Sequence, residues 1–243
     1  MEIIWQDLVK LFSDLAATVR IPTFFLVLEF VGTFAFALSG VRLASAKQFD
    51  IFGAWIVGMA TAIGGGTFRD LMLNLNPFWM QNSIYFIWCA LAVVFVMFFH
   101  RHLVKRENTW FIFDTIGLAL FNVVGIEKTL QMGFPMWVAI TMGSVTGAAG
   151  GVIRDVLINE VPLIFRKEIY ALACVSGGIV YGICHVCGIG AETNALISSI
   201  IVVVTRCLAV KFHWHLPVVK GEESQSRALR GAMRAETGCT HLC

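Results

Sequence analysis

The sequence predicts an all-α polytopic membrane protein with seven transmembrane helices, arranged as two inverted three-helix repeats plus a seventh helix. The first observation behind this is composition: 58% of the 243 residues are hydrophobic and 14% are charged, whereas soluble domains are about 25% charged. The mean hydropathy is +0.78. The second is a repeat. Residues 64–70, Gly-Gly-Gly-Thr-Phe-Arg-Asp, return 85 positions later at 149–155 as Ala-Gly-Gly-Val-Ile-Arg-Asp.

The apolar spans are long enough to cross a hydrocarbon core about 30 Å thick, which takes about 20 helical residues. They are predicted at 23–43, 50–75, 83–100, 110–127, 135–158, 168–187 and 193–210. The predicted units are therefore a first three-helix repeat (23–107), a second three-helix repeat (108–190) and the seventh helix (191–211).

The two ends of the chain are predicted to lie outside the bundle. In residues 1–22, apolar side chains recur at helical spacing opposite acidic ones, which is typical of an amphipathic helix at the membrane interface. The alternative is a tail that orders only against the bundle. Residues 212–243 are polar and basic and are predicted to form a cytoplasmic tail.

The distribution of Lys and Arg predicts the orientation. With seven alternating spans, thirteen of these residues fall on one side and only three on the other, namely Lys10, Arg20 and Lys128. Because basic residues concentrate in cytoplasmic loops, the N-terminus is expected outside and the C-terminus in the cytoplasm.

The repeat extends well beyond the glycine motif. The matched pairs of identical residues at the offset of 85 are Gly32/Gly117, Phe36/Phe121, Gly40/Gly125, Ala54/Ala139, Gly58/Gly143, Thr61/Thr146, Gly65/Gly150, Gly66/Gly151, Arg69/Arg154, Asp70/Asp155, Asn74/Asn159, Pro77/Pro162, Tyr85/Tyr170 and Cys89/Cys174. Each unit holds three spans, an odd number, so the two copies are expected to point in opposite directions through the bilayer.

The glycine motifs are the candidate site. We expect spans two and five to be broken there and to cross near the pseudo-twofold axis, because irregular backbone inside a membrane is tolerated where it lines a polar cavity. The candidate pore and gate residues on these spans are Gly64, Gly65, Gly66, Arg69, Asp70, Gly150, Gly151, Arg154 and Asp155. The alternative is that the glycines only allow close helix contact and that the charges are structural.

Three further charged residues are candidates for the pore. Glu29 matches Asp114 at the repeat offset, and each carboxylate either attracts cations or holds an arginine of the neighbouring broken helix. Lys128, at the outer end of span four, either guards a pore mouth or anchors the helix at the interface. Four interior carboxylates against two arginines leave the interior acidic by two, which favours cations.

Other functions are disfavoured by the sequence. The triple glycine lacks the Gly-Lys-Ser/Thr ending of a phosphate-binding loop. The pair Cys184 and Cys187 has no second pair of ligands to complete a metal site. No nucleophile with a paired base is evident, and nothing suggests nucleic acid. We therefore expect neither an enzyme nor a resident cofactor.

The twofold glycine-Arg-Asp motif resembles the trimeric intracellular cation channel (TRIC) family in its bacterial branch, whose members overlap with glycine transporter domains. The resemblance covers residues 23–210 and includes both following prolines. It implies a homotrimer in a bacterial inner membrane, with one pore in each protomer, lined by kinked second and fifth helices, that conducts K+ and, less selectively, Na+. Ala149 departs from the triple glycine, which implies a gentler second kink. The lipid-binding Lys-Glu-Val element of animal members is not matched at residues 125–128, so the resemblance does not extend to lipid regulation.

These observations leave two functional hypotheses and one weaker alternative. The leading hypothesis is a monovalent cation channel, gated by movement at one or both kinks, with membrane lipid and permeant cations as its partners. The second is a secondary transporter of a small zwitterion such as glycine, because inverted repeats are common in transporters. A structural scaffold is disfavoured by the two Arg-Asp pairs inside the membrane.

Overall fold

The computed structural model describes residues 23–105, 109–166 and 169–214. The predicted interfacial helix at 1–22 and the tail beyond residue 214 lie outside the described residues. Within them, seven long helices follow one another, and we number them α1 to α7. Their bounds are Thr23–Ala46 (α1), Ile51–Met72 (α2), Ile84–Lys105 (α3), Thr109–Gln131 (α4), Met136–Leu157 (α5), Ala171–Val186 (α6) and Ala191–Lys211 (α7).

Five of these helices, α1, α2, α4, α5 and α7, are long and apolar enough to cross a membrane. The other two are shorter apolar helices, counted as Ile84–Phe99 of α3 and the 16 residues of α6. At 1.5 Å per residue, α6 spans about 24 Å, less than a full hydrocarbon core. The two shorter helices occupy matching positions in the two repeats.

The helix ends follow from local sequence. The Asp50 side chain accepts a hydrogen bond from Gly53 N at 2.7 Å and so caps the start of α2. Helix α5 begins after Pro135, whose fixed φ suits a helix start. Beyond α2 and α5, the chain turns through Asn74 (φ 57°) and Asn159 (φ 56°). Asn tolerates this left-handed backbone better than most residues.

The inverted repeat is confirmed by contacts at the two ends of the bundle. At one end, Lys47, before α2, binds Glu160, after α5, with 2.5 Å between Nζ and Oε1. At the other end, Lys128 near the end of α4 binds Asp70 near the end of α2. Helices α2 and α5 are therefore antiparallel. Phe36 and its repeat mate Phe121 stack with 5.4 Å between ring centroids, which places this pair at the pseudo-twofold axis.

The expected break in the second and fifth spans is wrong. Helices α2 and α5 are continuous, with no interruption of helical structure at residues 64–66 or 149–151. Glycine weakens a helix by about 1 kcal/mol relative to alanine, but it does not by itself end one. The glycines are required instead by the close approach of neighbouring groups, which the site geometry makes clear.

Candidate functional site

The glycines lie where α2 and α5 cross. A Cβ atom at Gly65 would lie 2.1 Å from the backbone oxygen of Thr146, and one at Gly150 would lie 2.3 Å from the backbone oxygen of Thr61. These two contacts are related by the pseudo-twofold axis. Only glycine permits backbone contact this close, so the crossing is a direct packing of one helix backbone on the other.

The remaining candidate glycines contact side chains. A Cβ at Gly64 would lie 2.6 Å from the Cδ1 atom of Ile153, and one at Gly66 would lie 2.4 Å from the Phe78 ring. At Gly151, the group in the way is the Tyr170 hydroxyl, 2.3 Å from the added atom. These contacts are as close as the alternative requires in which the glycines allow helices and side chains to pack closely.

One turn beyond the crossing on α2 lies a buried group that we call the first cluster: Glu29, Arg69, Asp70 and Lys128. Arg69 Nε donates a hydrogen bond to Asp70 Oδ1 at 2.8 Å, and Lys128 Nζ donates to the same oxygen at 2.9 Å. The other carboxylate oxygen, Asp70 Oδ2, accepts from the Phe78 backbone N–H at 2.9 Å. Asp70 thus joins α2, α4 and the chain after Pro77.

Glu29 completes the first cluster from α1. Its Oε1 atom lies 3.5 Å from Arg69 Nη2, an ion pair at the long limit of a hydrogen bond. Its Oε2 atom accepts a hydrogen bond from the Tyr85 hydroxyl at 3.1 Å. Of the two alternatives for Glu29, the structure has the carboxylate beside the arginine of the neighbouring helix, with 3% of the residue exposed.

The second cluster consists of Asp114, Arg154 and Asp155, the repeat mates of Glu29, Arg69 and Asp70. Arg154 binds Asp155 Oδ1 through Nε at 2.9 Å and contacts Asp114 through Nη1. Asp155 Oδ2 accepts from the Leu163 backbone N–H at 3.0 Å, matching the first cluster. Here, however, Arg154 Nη1 also donates to Ser39 Oγ at 2.8 Å, and no lysine binds Asp155 as Lys128 binds Asp70.

The clusters lie on opposite sides of the crossing. Arg69 and Arg154 each follow the contacting glycine by four residues, or about 6 Å of helix rise. Because α2 and α5 are antiparallel, these displacements point in opposite directions. The Arg-Asp pairs thus lie about one helical turn beyond the glycine contacts, as their spacing in the sequence predicts, and they bracket the crossing in opposite directions along the two helices.

Arg206 is a buried charge inside the predicted seventh span, although the prediction of orientation counted it among the thirteen basic residues of the cytoplasmic side. It lies in α7 with 0% exposure, and its guanidinium stands 5.0 Å from the Phe111 ring centroid and 4.9 Å from that of Tyr170. Its Nη1 atom donates to the Ile169 backbone oxygen at 2.9 Å. A single arginine inside an otherwise apolar stretch was the signal for it.

The predicted acidic interior needs correction. Lys128 is only 9% exposed and Arg206 is fully buried. Adding these two to Arg69 and Arg154 gives four basic groups against four carboxylates, so the two clusters together with Arg206 are neutral. Arg42, near the end of α1, is 8% exposed and adds a fifth basic group to the buried set. Net negative charge is therefore not available as the source of cation preference.

Several polar atoms in the clusters retain bonding capacity. Among the described protein atoms, Arg69 Nη1, Asp114 Oδ2 and the Tyr170 hydroxyl have no hydrogen-bond partner although they are buried. Such groups are costly in an apolar interior unless water or an ion contacts them. No three or more His, Cys, Asp or Glu side chains among the described residues are grouped to hold a metal ion.

Two inverted three-helix repeats, a seventh helix and buried Arg-carboxylate clusters on both sides of a glycine crossing define a class of polytopic membrane protein. The pattern of the glycine transporter family matches this chain twice, at residues 26–101 and 111–186. The chain belongs to that family. The two matches coincide with the two repeats.

The chain is also similar to membrane proteins from several bacteria. The chain is 35% identical over 201 residues to the UPF0126 inner membrane protein YadS of Escherichia coli K12, covering 81% of this chain and 97% of that protein. It is 38% identical over 198 residues to a UPF0126 membrane protein of Vibrio cholerae, covering 79% and 81%. Together with the apolar helices, this identifies an integral membrane protein.

Solved structures share the fold. The structure of a TRIC trimeric intracellular cation channel orthologue from Rhodobacter sphaeroides matches with a TM-score of 0.75 and 33% sequence identity, covering 79% of this chain and all of that one. A TRIC cation channel solved to explain conductance matches with a TM-score of 0.72 and 32% identity. The TRIC resemblance of the sequence is thus confirmed.

Proposed function

We propose that this protein is a channel for monovalent cations, K+ and less selectively Na+, and not an enzyme. The observation that carries this proposal is the pair of buried charge clusters that bracket the α2/α5 crossing in a fold shared with TRIC cation channels. Ionisable groups inside a membrane protein are costly and usually mark the pathway of an ion or substrate.

The proposed path runs along α2 and α5 past both clusters. It does not pass straight between the two helices in this conformation, because their backbones touch at Gly65 and Gly150. Opening would therefore separate α2 from α5 at these glycines or carry the ions along one side of the crossing. The unpaired Arg69 Nη1 and Asp114 Oδ2 atoms support a path that holds water.

Assembly and orientation are also part of the proposal. The structures that resemble this chain include one described as a trimeric channel, which supports a homotrimer with one pore in each protomer. The N-terminus is placed outside and the C-terminus in the cytoplasm of a bacterial inner membrane. Without the buried Arg42, Lys128 and Arg206, the count is eleven basic residues against two, so the asymmetry is retained.

A second candidate function is secondary transport of a small zwitterion such as glycine. The match to the glycine transporter family favours it, as do the inverted repeats. In that case, a substrate carboxylate would face an arginine and its ammonium group a carboxylate of the same cluster. The two functions share the site and differ in stoichiometry, since a channel conducts many ions in each opening.

Purified protein in liposomes distinguishes the two functions. The channel proposal predicts rapid K+ efflux that is indifferent to glycine, and no saturable glycine uptake. Saturable glycine uptake without K+ efflux would overturn it in favour of the transporter.

Arg69→Ala and Arg154→Ala test the location of the path. The control is Cys184→Ala, because Cys184 is a half-buried residue of α6 that belongs to neither cluster. Both arginine variants should change K+ efflux more than the control does. Equal, negligible effects of all three would exclude the clusters from the pathway.

A further inference from the structure

Helix α7 has no counterpart in the repeat, yet it carries one of the fully buried basic side chains of the described protein. It packs against α4 and α6, both from the second repeat. Its Arg206 lies between the rings of Phe111 and Tyr170 and donates to the Ile169 backbone. An apolar side chain would fill this position at lower cost, because a guanidinium in a membrane helix must be compensated.

Tyr170, whose ring contacts Arg206, connects this position to the second cluster. Gly151 has Tyr170 Oη and Asp114 Oδ1 on the same side, at 2.3 Å and 3.6 Å from where a Cβ would stand. Tyr170 therefore has Arg206 against its ring and the Asp114 carboxylate near its hydroxyl. Phe111, the other ring beside Arg206, lies one helical turn before Asp114 on α4. The two rings that contact Arg206 thus both belong to residues close to Asp114, Tyr170 in space and Phe111 along α4.

The charges of the two clusters show what Arg206 adds. In the first cluster, two carboxylates face Arg69 and Lys128, which gives zero net charge. In the second, Asp114 and Asp155 face Arg154, which leaves one negative charge. The residue that matches Lys128 at the repeat offset is Leu43, which cannot supply the missing charge.

We propose that Arg206 sets the charge of the second cluster, so that α7 gives the second repeat the basic group that Lys128 gives the first. Arg206 acts as a positioning and charge-setting residue behind Tyr170 and does not itself line the path. The seventh helix then has a definite role in the mechanism: it makes the two halves of an otherwise symmetric pathway electrostatically equivalent although their sequences differ.

The functional consequence rests on the proposed cation channel. Removing the charge of Arg206 leaves the second cluster negative, which raises the local concentration of cations over anions. One unit charge about 10 Å from the path, at an effective dielectric constant of about 20, raises the local concentration of a monovalent cation by about tenfold and lowers that of an anion by a similar factor. A charge-conserving substitution should leave the ratio unchanged.

The test compares Arg206→Gln, Arg206→Lys and the double variant Arg206→Gln/Asp114→Asn with the full-length wild-type protein. Reversal potentials in asymmetric KCl give the ratio of K+ to Cl− permeability, and thermal unfolding in detergent gives stability. We expect Gln to raise the ratio by about tenfold or more and to lower stability. Lys should keep both near wild type, and the double variant should recover both.

A folded Gln variant with the wild-type ratio, or a Lys variant altered as much as Gln, overturns the proposal. If the Gln variant does not fold, the charge argument requires the double variant to fold, and its failure as well overturns the proposal. A silent wild type contradicts the channel function instead, and the stability comparison among the three variants still tests the charge balance.

Discussion

The contact between Gly65 and Thr146 makes a strong prediction about Gly65→Ala. The added Cβ would lie 2.1 Å from the Thr146 oxygen and 3.1 Å from its carbonyl carbon. Ordinary contacts begin at 3.4 Å, so α2 and α5 must separate by about 1.3 Å, the difference between 3.4 and 2.1 Å. The obstructing atoms belong to the helix backbone and cannot move by a change of rotamer.

The expected magnitude follows from two opposing effects. Overpacking in a tight core destabilises by about 1 to 3 kcal/mol, and replacing a helical glycine by alanine returns about 1 kcal/mol. The net change for Gly65→Ala is then a destabilisation of about 0 to 2 kcal/mol. The matched control is Gly182→Ala in α6, where the nearest atom is Met136 Cγ at 3.4 Å. That variant should gain about 1 kcal/mol.

Thermal unfolding of both variants in the same detergent measures the difference. The two should differ by about 1 to 3 kcal/mol, with about 2 to 4 °C in Tm for each kcal/mol in a chain of this size. Under the channel proposal, Gly65→Ala should also change the open probability because it holds the crossing apart. Equal Tm values for the two variants, with unchanged currents, would refute a backbone contact at the crossing.

Three further predictions concern other contacts. Lys128→Met should destabilise the protein by about 3 to 5 kcal/mol because it leaves the buried Asp70 carboxylate without its lysine. Adding Asp70→Asn should restore part of this stability. Unfolding in detergent measures both variants, and a double variant no more stable than Lys128→Met would contradict the pairing. Lys47 lowers the pKa of the exposed Glu160 below its usual 4.5, so this pair stabilises above about pH 4.5 and the effect disappears as the pH falls through the folded pKa. Glu160→Gln should therefore show a smaller decrease in Tm between about pH 5 and pH 3 than wild type, and about 1 M salt should abolish the difference; parallel decreases would contradict it. Because Asn74 has a left-handed backbone, Asn74→Val should lose about 1 to 2 kcal/mol while Asn74→Gly is tolerated, and equal stabilities of the two variants would exclude that conformation.

The sequence predicted those parts of the fold that the repeat imposes. Any contact made within the first repeat is expected at the same offset in the second, and this holds for Arg69 with Asp70 and for Arg154 with Asp155. Charge and hydropathy gave the number of spans correctly. The sequence left open whether Glu29 and Asp114 attract cations or hold an arginine, and the structure has each carboxylate beside the arginine of its own repeat.

What the sequence could not determine was where the repeats differ and how the glycines act. A glycine run is equally consistent with a broken helix and with two helices in backbone contact. Which of the two occurs depends on the segment that packs against the glycines, and here that segment contains Thr146, whose backbone contacts Gly65. The partners of Lys128 and Ser39 come from the opposite repeat, so no offset predicts them. Arg206 lies in the one helix outside the repeat.

A cation pathway along α2 and α5 is tested by the reversal potential of single channels from purified protein in a planar bilayer with a tenfold KCl gradient. A cation channel gives discrete unitary currents that reverse near the K+ equilibrium potential, about 59 mV from zero for a tenfold gradient of a univalent ion. Bilayers that stay silent although they contain verified protein, or currents that reverse at the Cl− potential, would contradict a cation pathway along α2 and α5.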